Sequence, residues 1–107
     1  MLAIKRKNKT IEKIPKAKSP RQMEKHLKGV ANHRRIEILF LIADNKGIIV
    51  EEIARRVNCN VKTISEHIIR LAQAGLIRKG NRGRAVSHEL SPYGIIFHKF
   101  LTTFRHS

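Results

Sequence analysis

Between Asn60 and Ala74, polar and charged residues alternate with apolar ones at helical spacing. With Ile64 turned inward, about 100° per residue places Lys62, Glu66 and Gln73 on the opposite side. Thr63, Ser65 and Arg70 fall on the flanks, and His67 lies nearer the boundary. Such a face bonds to other molecules and does not break bonds. Lys62 and Thr63 can donate to base edges, Glu66 can accept from cytosine N4, and Ser65, His67 and Arg70 can position the helix against phosphates. Two plainer roles stand beside these: Glu66 pairing with Arg70 at i+4, and His67 as a boundary residue. Ile69 points outward, towards the preceding helix or thymine methyls. A second cationic group, Arg82 and Arg84, falls in the stretch Gly80-Asn81-Arg82-Gly83-Arg84, which reads as a tight turn. Arginines at such a tip suit a narrow minor groove or the sugar-phosphate backbone.

No covalent chemistry can be assembled beside this. The chain offers no Ser/His/Asp or Cys/His arrangement, no paired carboxylates and no glycine-rich phosphate loop, so we expect no enzyme and no cofactor. Cys59 is the single cysteine and cannot form an intrachain disulfide, which fits a reducing, cytoplasmic setting. Its place in a turn suits a small inward residue; the alternative is an oxidation-sensitive group beside the polar helix.

The charge points to the same class of partner. The 107 residues carry a formal net charge of +15, with 41% apolar residues, no Trp and one Tyr. So large an excess opposes compaction and suits a polyanion. Its longest apolar run, Ile36 to Ala43, contains Glu37 and falls far short of the roughly 20 residues a membrane span needs, so no membrane partner is expected. The first residues turn basic at once and do not read as a signal peptide. Residues 1–30 hold ten Lys and Arg against two Glu. Within them, 1–18 reads as a flexible basic arm: either a solvated tail or a source of non-specific phosphate contact.

The elements that must position these groups follow from caps and periodicity. Ser19-Pro20 opens a helix to about Val30 with Met23, Leu27 and Val30 on one stripe. Asn32 caps a second, whose inward stripe is read as Ile36, Leu39, Phe40 and Ala43, widened by Ile38, Leu41 and Ile42, and which ends before Gly47. After the β-prone Ile48-Ile49-Val50, a short helix over Glu51–Val57 buries Ile53, Ala54 and Val57. Asn58-Cys59-Asn60 joins it to the polar helix, whose Ile64, Ile68, Leu71 and Gly75 point into a core. Two helices joined by so short a turn form a helix-turn-helix. A strand over Leu76–Lys79, the turn over 80–84 and a return strand over Ala85–Leu90 make a wing, and Ser91-Pro92 opens a strongly apolar last helix.

The segments Ala31–Leu39, Glu52–Val57 and Val61–Ile77 together with Gly83-Arg84 resemble winged-helix repressors of the ArsR/SmtB type over residues 31–90. The string Ser65-x-His67-Ile68-x-x-Leu71-x-x-Ala74-Gly75-Leu76 is the most specific part. Leu90-Ser91-Pro92-Tyr93-Gly94 also resembles the opening of the last helix in MarR-like proteins. The resemblance implies metal sensing only where ligands stand, and here Ile49 and Glu51 occupy the positions of the Cys-Val-Cys box. His98 and His106 on the last helix are eight residues apart, about 12 Å by helical rise, too far for one ion. No metal is expected.

The expected fold is therefore mainly α with a small β-hairpin, a winged helix-turn-helix over 19–107 behind the arm 1–18. The expected function is a sequence-specific, double-stranded DNA-binding transcriptional regulator, a repressor, with the helix at 60–74 in the major groove and the wing at 80–84 on the minor groove or backbone. The excess apolar surface of Ile95, Ile96, Phe97, Phe100, Leu101 and Phe104 calls for a partner, and the resemblance implies a homodimer through the first and last helices. An RNA-binding or non-specific nucleoprotein module, and a protein-interaction winged helix, are the alternatives.

Overall fold

Four helix starts are set by side chains that accept hydrogen bonds from otherwise unpaired backbone N–H groups. In the computed structural model, which describes residues 17–107, Ser19 and Gln22 cap each other reciprocally at the head of α1 (Pro20–Val30), with Gln22 N donating to Ser19 Oγ at 3.2 Å. Asn32 Oδ1 accepts from the amides of Arg34 and Arg35 and opens α2 (His33–Asp44). After the short strand β1 (Ile48–Ile49), α3 (Val50–Arg56) lacks a side-chain cap. It carries Glu51 and Glu52 in its first turn and Arg55 and Arg56 in its last, the arrangement a helix dipole favours. Asn60 Oδ1 accepts from Thr63 N and opens α4 (Val61–Gln73). Ser91 does the same through Gly94 N for α5 (Pro92–Arg105).

The turn between α3 and α4 is short because Asn58 takes a left-handed φ of 54° and Cys59 N bonds back to Ala54 O at 2.9 Å. At its other end α4 stops in a Schellman motif. Gly75, at φ 76°, donates to Ala72 O, and Leu76 N reaches Leu71 O. Gly75 is thus the helix stop and is only half-buried; Ala74 takes the core position beside it.

The chain then forms β2 (Ile77–Arg82) and β3 (Ala85–Leu90), and β1 completes an antiparallel sheet of order β1-β3-β2. Ile77 pairs with Leu90 and Arg82 with Ala85. The turn is therefore the two residues Gly83-Arg84 and not the whole of 80–84: Gly80 and Asn81 stay in the ladder opposite Ser87 and Val86. Gly83 alone has positive φ, 63°, as the first central residue of a type II′ turn does. The buried His88 faces Ile48 O with Nδ1 at 3.0 Å and ties β3 to β1.

The core gathers Ile38, Leu39 and Ile42 of α2, Ile53 of α3, Ile64 and Leu71 of α4, and Leu76, all fully buried. On α2 the deepest stripe is thus Ile38, Leu39 and Ile42, whereas Ile36, Phe40 and Ala43 are half-buried, the reverse of the expected weighting except at Leu39. Phe97 and Leu101 pack α5 onto this core. The arm expected over 1–18 lies outside the described residues up to position 16. Lys18, at its end, is held on α5 by a 2.8 Å hydrogen bond to Tyr93 Oη, with its ammonium also over the Tyr93 ring.

Candidate nucleic-acid interface

Burial of Ile64, Ile68 and Leu71 fixes the rotation of α4 and turns Lys62, Glu66, Arg70 and Gln73 to solvent. Thr63, Ser65 and His67 are half-buried on the flanks. Ser65 lines a shallow cleft of about 190 Å³ between α4 and the wing, with Ile69, Lys79 and Val86 on its rim. Ile69 is exposed and lines this cleft together with Lys79 and Val86 of the wing and Val50 at the start of α3. Among the described residues Glu66 and Arg70 form no ion pair, and both are exposed on the outer face.

The two wing arginines part company. Arg84 is exposed in the turn, while Arg82, the last residue of β2, reaches back to Glu52 Oε1 at 3.6 Å and Gly47 O at 3.5 Å. It therefore belongs to the base of the wing and to α3 as much as to the tip. With Arg82 64% and Glu52 31% exposed, the pair is solvent-screened and can exchange for another anion.

His67 proves to be a tethered residue. Arg35 at the head of α2 donates through Nη1 to His67 Nδ1 at 3.2 Å and through Nε to Gly29 O at 2.6 Å. A guanidinium can only donate, so Nδ1 accepts and the ring proton sits on Nε2. Burial, then the positive charges of Arg35 and Arg34, hold the His67 pKa below its ordinary value, with Glu66 acting weakly the other way. Arg34 in turn donates from Nη1 to Val57 O at 3.0 Å, closing the end of α3, and to Glu37 at 2.9 Å. These two arginines position the helix-turn-helix, and sequence reasoning assigned them nothing. One signal was available. Cations in a helix's first turn oppose its dipole, so a pair of them there must be held by something else.

Among the described residues no group of three His, Cys, Asp or Glu side chains could hold a metal ion. His98 instead meets the Phe40 ring edge-on at 5.1 Å. Cys59 is half-buried against the core. No helix among these residues is long and apolar enough to cross a membrane.

The model of the HVO_A0114 family matches residues 30–96, from the end of α1 through α4 and the wing into the first turns of α5. The chain belongs to the HVO_A0114 family. This member is 32% identical over 65 residues to the transcriptional activator HlyU of Vibrio cholerae, a match that spans 61% of the chain and 59% of that relative. The solved HlyU structure from Vibrio cholerae superposes with a TM-score of 0.74 at 25% identity, covering 86% of this chain and all of that one. A homodimeric winged helix-turn-helix DNA-binding domain from Mycobacterium bovis, described as a possible ArsR-family regulator, has the same fold. Its TM-score is 0.72 at 23% identity, over 86% of this chain and 91% of its own. The fold of this HVO_A0114 member is thus the winged helix-turn-helix that the sequence implied, and the HlyU relative it matches is described as a transcriptional activator.

Proposed function

We propose that this chain is a sequence-specific, double-stranded DNA-binding transcriptional regulator that acts as a homodimer. The observation that carries the reading is the outer face of α4, where Lys62, Glu66 and Arg70 stand exposed over a buried Ile64-Ile68-Leu71 seam beside a basic wing. In this reading Lys62, Thr63 and Glu66 read base edges, and Ser65, His67 and Arg70 set the helix in the major groove. Arg84 and Arg82 meet the minor groove or backbone. Occupation of promoter DNA in competition with the transcription machinery makes repression the expected output.

Dimerisation is supported by apolar surface left uncovered on α1 and α5. Met23 and Leu27 are about half exposed, and Ile96, Phe100 and Phe104 are 62%, 59% and 64% exposed. The Mycobacterium bovis neighbour is itself homodimeric. Two-fold pairing would present two α4 helices to half-sites about one helical turn apart.

Selection of bound sequences from a random duplex pool tests the reading. An enriched, imperfectly palindromic duplex bound orders of magnitude more tightly than random DNA is expected. Binding to RNA hairpins that exceeds binding to every selected duplex would overturn it.

A further inference from the structure

On the side of α4 away from the wing, a cleft of about 190 Å³ separates it from the second half of α1. Four cations line it, Lys25 and Lys28 from α1, Arg35 from α2 and Arg70 from α4, with Gln73 as the neutral polar side chain and no carboxylate. The two helices meet closely at its floor, where a Cβ on Gly29 would overlap that of Ala74. His26 Nδ1, facing Ala74 O at 2.6 Å, fastens the same junction.

This is a built arrangement and not a run of solvated charges. Arg35 is fixed by three neutral acceptors, Gly29 O, Lys28 O and His67 Nδ1, so it is oriented without being neutralised. Arg70 and Lys25 form no ion pair among the described residues. Lys28 has only Glu24 at 3.3 Å, with both side chains mostly exposed, a pair that solvent screens. Burial first, and then the like charge of the nearby Arg70, lower the pKa of Arg35. The cleft also lies at a telling distance from the base-reading end of the helix. Lys62 and Arg70 are eight residues apart, about 12 Å along the axis, and the major groove is about 12 Å wide. A helix lying with Lys62 over the bases brings Arg70 to the strand that bounds the groove.

We propose that this cleft binds a phosphate, and that in function it takes one backbone phosphodiester of the DNA strand flanking α4, with Arg70 and Lys25 contacting the oxyanion and Arg35 behind them. The proposal rests on the reading that α4 enters the major groove. It extends the footprint to α1, adding affinity that does not depend on sequence.

The test measures binding of the full chain to its selected duplex and to a scrambled duplex over a salt series. The variants are Arg70→Gln, the double change Lys25→Gln with Lys28→Gln, Arg70→Lys and Lys62→Ala. The glutamine variants are expected to weaken both duplexes equally, by about tenfold at about 0.1 M salt, and to reduce the slope of log K against log salt by about 1. Arg70→Lys should restore most of the slope. If both glutamine variants keep the wild-type slope while Lys62→Ala loses base preference, the cleft proposal falls and the groove reading stands. Wild-type protein with no preference among duplexes, matched by Lys62→Ala, overturns the groove reading and the proposal with it. Inorganic phosphate at constant ionic strength supplies the last arm. If it shifts the amide signals of Gly29 and Gln73 while Arg70→Gln still binds duplex as wild type does, the cleft is a free-anion site and the DNA assignment is wrong.

Discussion

Arg35 Nη1 and His67 Nδ1 lie 3.2 Å apart, joining the first turn of α2 to the middle of α4. Since the arginine can only donate, the bond exists only with His67 neutral. The depressed His67 pKa has a definite sign in stability. The unfolded chain takes up this proton near the ordinary histidine value of about 6.5 and the folded chain only at lower pH. The stabilisation is therefore complete above that value and is lost as pH falls towards and through the folded pKa. His67→Gln keeps an acceptor for Arg35 and removes the titration. Its Tm should fall less than that of the wild type between about pH 7 and 5; parallel Tm curves would refute the tether.

Lys62 projects from the exposed first turn of α4 and makes no hydrogen bond or ion pair among the described residues. Lys62→Ala should cost about 1–3 kcal/mol of discrimination at one base pair with little loss on scrambled DNA. Competition binding with singly substituted duplexes measures this, and an equal loss on all duplexes would assign Lys62 to phosphate.

Glu52 competes with DNA for Arg82 in the proposed complex. Glu52→Gln should tighten binding to every duplex a few-fold, whereas Arg82→Ala should weaken all of them and lower the salt slope by about 1. Because the pair is largely exposed, neither change should move stability by more than about 1 kcal/mol. Anisotropy titrations beside urea unfolding separate the two effects.

Phe100 stacks on Phe104 at 5.7 Å between ring centroids, and both rings face outward. Phe100→Glu removes nothing from the core of one subunit, so it should leave the fold intact and convert a dimer to a monomer. Sedimentation at tens of micromolar reads the result. A wild-type protein that is already monomeric there rules out the dimer.

Gly94 stands in the first turn of α5 against the chain at Leu76, where an added Cβ would overlap the Leu76 carbonyl oxygen. Gly94→Ala should destabilise the fold by about 1–3 kcal/mol in urea unfolding, the range for an overpacked core.

The helix-turn-helix was legible because its information is local. Ser19, Asn32, Asn60 and Ser91 each cap the helix that their residue types announce, and Ile64, Ile68 and Leu71 fix the phase of α4. On α2 the phase was hidden, since Ile36, Ile38, Leu39, Phe40, Leu41 and Ile42 are apolar around most of the circumference and periodicity selects no single stripe. The wing turn was misplaced for a related reason. Gly80 and Asn81 have turn-like chemistry, yet cross-strand pairing with Ser87 and Val86 keeps them extended. The Arg35–His67 bond spans 32 positions, and its local trace is the unfavourable pair of cations in the first turn of α2.

α1 has two faces with separate duties. One carries Met23 and Leu27 to the proposed partner subunit, and the other meets the end of α4 closely, Gly29 lying on Ala74 and the His26 ring on the Ala74 carbonyl. In the proposed dimer on DNA, a shift of the subunit interface would then carry α4 with it as a lever carries its load. The spacing of the two half-sites would be encoded in α1, apart from the identity of the bases in the first turns of α4. A lineage could lengthen or shorten its operator by altering α1 while leaving the alphabet it reads unchanged.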